Sequence, residues 1–271
     1  MIVAKAQEEP RHSAGCVERL PMAGRFGRYS KEEGQDVRAN PTKPSAVQEA
    51  LRNIWETTSV CMTSASHDYL MDLLRSRFIP ENQRVIEKKY RHPSHKQFDR
   101  IISNLDGRVL SPQDISEFTL SLNESEGCRG FSGKSGLFLS ALIHASPEGE
   151  YHIFTDHWVI KPDLIGYRNR AGHRVIVHGD VGTDCGCQMV GGEIIVDGMA
   201  SWGLGVLMEG GSITVSDCSA QFIGMASKGG TIHIREGDPQ TFREDVAAAS
   251  KYGSKTSIYH KDKLIFGDEG E

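Results

Sequence analysis

The residues of this chain best suited to chemistry form small, separate groups. Cys185-Gly186-Cys187 offers two thiols at a spacing used by metal and redox pairs. Gly133-Lys134-Ser135 has the ending of a phosphate-binding loop. His178, Asp197, Ser216 and Arg235 recur at a 19-residue step and so share one column, with the residue types of a hydrolytic triad. His92-Pro93-Ser94-His95 brings two imidazoles together, and His152, Asp156 and His157 cluster further along.

Each group has a plainer reading. Both cysteines fall in apolar columns, above Leu204 and Val206, where cysteine packs as a small hydrophobe, and no second pair stands at zinc spacing. The phosphate loop needs a glycine five residues before Gly133, where Cys128 stands, so a glycine-rich linker is the default. A triad needs histidine in the middle. Here aspartate is in the middle, so the column reads as a surface ladder of hydrogen bonds and ion pairs. The His92/His95 loop has no clear carboxylate or thiolate partner. No residue is assigned a catalytic, cofactor-binding or metal-binding role, and no cofactor is expected. His152, Asp156 and His157 are kept as candidates for an alternative, a small enzyme with its pocket between two halves of the molecule.

The elements that hold these groups are written in a repeat. Glycine pairs stand at Gly191-Gly192, Gly210-Gly211 and Gly229-Gly230, each 19 residues after the last, and Gly186, Gly205 and Gly224 keep the same step. Beneath one another the units read Val175, Ile194, Ile213, Ile232, then Val177, Val196, Val215, Ile234, with polar residues between. That alternation predicts a strand buried on one face. A second strand is predicted before each glycine pair, from the columns Cys185, Leu204, Ile223; Cys187, Val206, Met225; and Met189, Met208, Ser227. Fixed repetition of a short unit implies stacking, because one unit cannot bury its own apolar side. The expected fold class is α+β: an N-terminal helical bundle followed by a right-handed parallel β-helix of 19-residue coils.

Residues 1–44 lack periodicity and read as a flexible leader. Residues 45–130 read as a helical bundle. Capping boxes are expected at Ser45/Gln48 and Ser94/Gln97. Further helices are expected from Ser66 to Phe78, from Glu81 to Tyr90 and from Ser111-Pro112 through Leu122. Residues 131–240 are assigned to the β-helix, with "GLFLSALIHA" and "EYHIFT" as strands of an irregular first coil and Leu164, Ile165 and Tyr167 in the next. Residues 241–271 form a cap, with a helix at 243–251 and strands at Ile258-Tyr259 and Leu264-Ile265-Phe266.

The runs "HGDVGTDCGCQMVGGEIIVDG", "MASWGLGVLMEGGSITV" and "SAQFIGMASKGGTIHI" resemble the GXGXG repeat. That repeat is known from the C-terminal domain of the glutamate synthase large subunit and from the C subunit of formylmethanofuran dehydrogenases. The resemblance spans roughly residues 136–237. It implies a β-helix used as spacer and docking scaffold between catalytic parts. Asp217 and Glu236 depart from it, replacing the glycine seen at Gly179 and Gly198. Met1-Ile2 carries no amino-terminal cysteine, and no flavin or iron–sulfur motif is seen.

The net charge of −5 and pI near 6.1 give no sign of a nucleic-acid or membrane surface. No run approaches the ~20 apolar residues that span a bilayer. With no visible signal peptide and six scattered cysteines, reduced thiols in a cytoplasmic protein are expected. The expected role is a non-catalytic scaffold for other protein subunits, with self-association left open. Ile176 and Ile195 form an outward apolar stripe, expected to be covered by the helices.

Overall fold

The computed structural model describes residues 45–58, 94–219, 221–238, 242 and 253–267, all within one compact unit, Pro41–Glu271. The expected helices at 66–78, 81–90 and 243–251 lie outside the described residues.

Period-two alternation becomes strand at the segments that follow the glycine pairs. β1 (Gly149–Phe154), β2 (His173–His178), β3 (Glu193–Ala200), β4 (Ser212–Cys218), β5 (Thr231–Ile234), β6 (Ser257–His260) and β7 (Lys263–Phe266) form one sheet in chain order. Every pairing is parallel except the last, β6 with β7. Ile194 is registered with Ile213, and Ile213 with Ile232. All three are fully buried, as are Val175 and Ile258 on either side of them in the row. Each such side chain contributes about 1.5–3 kcal/mol.

The second strand of each unit is absent. Residues 185–188, 204–207 and 223–226 are turns instead. Gly186, Gln188, Gly205, Leu207, Gly224 and Ala226 have left-handed φ between +55° and +70°. A strand cannot run through backbone of that hand. The turns nonetheless stack by hydrogen bonds: the Gly186 amide donates to the Ile165 carbonyl, Gly205 to Cys185, and Gly224 to Leu204, at 2.7–2.8 Å. Leu164, Ile165 and Tyr167 form the first turn of this series and are fully buried. The expected right-handed β-helix is thus corrected, and with it the α+β class. The architecture is α/β, an open, mostly parallel seven-stranded sheet with four α-helices among the described residues.

The helices are α1 (Ala46–Thr57), α2 (His95–Asn104), α3 (Pro112–Leu122) and α4 (Phe131–Ala145). α3 starts as its sequence prescribes. Ser111 Oγ accepts from the Asp114 amide, Asp114 answers to the Ser111 amide, and Pro112 occupies the first turn. Ile115, Phe118, Thr119 and Leu122 are its buried face. Half of the α1 box forms: Ser45 Oγ accepts from the Gln48 amide, while Gln48 Nε2 donates to the Asp114 carbonyl. The buried residues of α1 are Leu51 and Trp55, and Val47 is exposed. The Ser94/Gln97 box is corrected: α2 has no side-chain cap hydrogen bond.

"GLFLSALIHA" is the other correction, because it belongs to helix α4 rather than to strands. A continuous apolar run carries no period to separate a buried strand from a helix buried all round. Residues Ser135 to Ile143 are all buried. Gly133-Lys134-Ser135 consequently lies inside a helix, neither a phosphate loop nor a linker, with Lys134 Nζ 4.0 Å from the Trp55 ring centre.

Two helices seal the start of the stack. On α3, Ser116 Oγ donates to the His152 carbonyl at 2.9 Å, and Thr119 Oγ1 accepts from the Phe154 amide at 3.3 Å. These satisfy backbone groups on the open edge of β1. On α4, Ser140 Oγ donates to the Leu164 carbonyl and accepts from the Gly166 amide, both at 2.9 Å. Ser132 Oγ donates to the Lys161 carbonyl at 2.6 Å.

This close approach of α4 depends on Gly136, where an added Cβ would overlap the Asp163 carbonyl oxygen. Glycine-to-alanine inside a helix ordinarily stabilises by ~1 kcal/mol. Here Gly136→Ala is expected to destabilise by about 1–3 kcal/mol instead, since backbone must move to admit the methyl group. Thermal melting of the variant beside wild type reads the sign.

Candidate functional site

Parallel register turns outward-facing residues into rows about 4.8 Å apart. The central row is His152, Ile176, Ile195, Thr214, His233 and Tyr259, every member partly exposed. Its last two rings stack at 4.8 Å. α3 packs along β1, at one end of this row, rather than over the row itself. The expectation that the helices cover the isoleucine stripe is therefore not met by the described helices.

Ion pairs flank the row. On one side Arg174 holds Glu150 and Glu193, each at 2.8 Å. On the other, His178 Nδ1 lies 3.2 Å from Asp197 Oδ2. The row that includes His178 and Asp197 is the surface ladder expected from the sequence and not a triad, because Ser216 Oγ donates to the Asp197 backbone carbonyl rather than to its carboxylate.

Among the described residues, one cluster of titratable groups reaches beyond the 19-residue columns. His152 Nδ1 is 2.8 Å from His178 Nε2, and His152 Nε2 is 3.0 Å from Glu150 Oε1. With Asp197 this makes an unbroken line: carboxylate, imidazole, imidazole, carboxylate. Phe154 stacks on His178 at 4.9 Å. Burial pushes the His178 imidazolium below the ordinary histidine range, helped by the charge of His152 and opposed by Asp197. The pairing escapes a column drawn in 19-residue steps because β1 is offset from β2 by 24 residues, Gly149 meeting His173.

The other candidates are dispersed. His157 Nδ1 is 3.2 Å from Asp156 Oδ1, and its ring stands edge-on to Trp158. Asp156 is near enough to His178 to act on its charge, but His157 does not join the line. A pocket of about 180 Å³ lies among α1, α3 and the turn after it, lined by Arg52, Trp55, Glu56, Phe118, Leu122 and Glu124. His152, Asp156 and His157 take no part in it. His92 lies outside the described residues, and His95 heads α2, 3.5 Å from Asp99.

Cys185 and Cys187 are buried. Burial pushes the Cys185 thiol up to about 12 and Cys187 well above its usual value, with Asp184 adding to both. Such thiols are poor nucleophiles and poor ligands. Among the described residues no group of three or more His, Cys, Asp or Glu side chains could hold a metal ion. No described helix is long and apolar enough to cross a membrane.

No family model matches this chain, and no curated protein or solved structure proved similar to it.

Burial also lowers the imidazole pKa of His144 and His173, as it does for His178. Below the unfolded value, about 6.5, the unfolded chain binds protons that these folded sites resist, so stability falls as pH falls through that window. Thermal melting at pH 7.5, 6.5 and 5.5 is expected to give a declining midpoint. A flat or rising series would contradict the assignment.

Proposed function

We propose that this chain is a docking scaffold, with the outward face of the sheet as its contact surface. The observation carrying this reading is the central row. Ile176 and Ile195 stand side by side, continue through Thr214 to His233 and Tyr259, and lie between charged ladders. An apolar centre with a polar rim is the ordinary anatomy of a protein-binding patch. The side chains stand on strands held by ladders on both sides, so the surface is presented in one fixed shape.

The likeness of residues 136–237 to the GXGXG repeat belongs to this proposal for role, not for fold. Members of that group use the region to orient catalytic parts. Other protein subunits are the proposed partners, with self-association as the second form of the same reading, and the cytoplasm is the proposed compartment. A small enzyme built on His152, Asp156 and His157 is less well supported, because these residues do not converge on a pocket.

Ile195→Asp tests the proposal. The side chain faces outward, so the fold should lose only about 1 kcal/mol from the poor strand propensity of aspartate. The wild-type chain is expected either to exceed one chain's mass in light scattering or to retain a reproducible set of proteins from native extract. The variant should lose whichever is seen. A monomeric wild type that retains nothing, or a variant that behaves identically, would overturn the scaffold reading.

A further inference from the structure

The line Glu150–His152–His178–Asp197 contains three gaps: 3.0 Å between carboxylate and imidazole, 2.8 Å between the imidazoles, and 3.2 Å between imidazole and carboxylate. Each gap is a hydrogen bond only if it holds one hydrogen. The carboxylates have none to give, and two neutral imidazoles carry one N–H each. Two hydrogens cannot fill three gaps. Neutral rings leave one gap with two lone pairs facing each other. Doubly charged rings put two N–H groups head to head across 2.8 Å. One imidazolium shared by the pair supplies three hydrogens, one for each gap.

The ring geometry supports this count. The two imidazoles are parallel within 1°, with centroids 5.2 Å apart. That separation, with the facing nitrogens in hydrogen-bond contact, is what two rings meeting edge to edge in a single plane give. It is the arrangement in which an N–H points along a neighbour's lone pair.

We infer that His152 and His178 form a single-proton device on the outer face of β1 and β2, which takes up one extra proton between its carboxylate ends and refuses a second. The charged surroundings agree. Glu150 is shared with Arg174, which also holds Glu193 on β3. Asp197 on β3 closes the other end, and Asp156 after β1 favours positive charge at His178. Asp180, after β2, lies 4.0 Å from Lys161. On α3, packed along β1, Glu117 accepts a hydrogen bond from Gln113, and the groups offered to the strand are the Ser116 and Thr119 hydroxyls. The one-proton state adds side-chain links from β1 to β2 and from β2 to β3 beside the backbone ladder. Entry of a second proton opens the His152–His178 contact and frees His152 at the head of the central row.

Nitrogen-15 NMR of the histidine side chains of the full chain, followed against pH, tests it. His152 and His178 should lose their protons in two steps more than about one pH unit apart, as coupled sites do. Between the steps, each ring should show sharing of one proton across the Nδ1–Nε2 contact, with an N–H signal shifted far downfield. His178→Gln should merge the behaviour of His152 into one simple step and remove that signal. Two independent single-site titrations in the wild-type protein, or a His152 titration unmoved by His178→Gln, would overturn the device.

Discussion

A parallel ladder leaves its first strand with a row of unpaired amides and carbonyls, and closing that row organises much of this molecule. Two ladders begin at the same end. One joins the strands and the other joins the left-handed turns. Both need partners of the right hydrogen-bonding sense where no earlier strand exists. The chain answers with helices that carry hydroxyls on an otherwise apolar face. Ser116 and Thr119 on α3 meet β1, while on α4 Ser140 meets the first turn and Ser132 the segment leading into it. At the far end β7 turns back antiparallel and takes up the pairing of β6.

Closing the ladder with helices constrains the core beneath. α4 must lie close enough for Ser140 to reach the Leu164 carbonyl, which removes any side chain at Gly136. Elsewhere along α4 the packing is aromatic. Trp55 meets Phe131 and Phe138 edge-on at 6.1 and 5.4 Å, and Phe98 meets Tyr167 at 5.1 Å. The core therefore changes character along the stack: aromatic beneath the helices, and aliphatic with methionine and cysteine among the repeated units. Cys185 and Cys187 sit in that second zone, where burial keeps their thiols protonated.

How far the fold was legible follows from what a period can carry. The rows Val175–Ile232 and Val177–Ile234 are readable because alternation of two marks a strand and a step of 19 marks its neighbours, and both hold in the register. The same alternation predicts a second strand where the chain turns. Cys185, Cys187 and Met189 alternate inward around a turn just as they would along a strand, and nothing in side-chain polarity reports the sign of φ at Gln188 or Leu207. α4 is illegible for the opposite reason, having no polar face to set a period. The Ser116 and Thr119 hydroxyls look like ordinary helix residues until the strand edge they serve is in place.

The outer face shows the same limit from the side of chemistry. Repetition draws attention to residues one step apart, so His178 and Asp197 stand out in the sequence and do pair. The more consequential contact, His152 with His178, crosses the irregular interval between β1 and β2, where no column can be drawn in advance. It arises because β1 is held in register by α3 on one side and β2 on the other, which leaves its outward histidine diagonal to the next. A repeated unit makes rows of like residues. The break in the repeat is what sets unlike ones, two imidazoles between two carboxylates, in line on the surface.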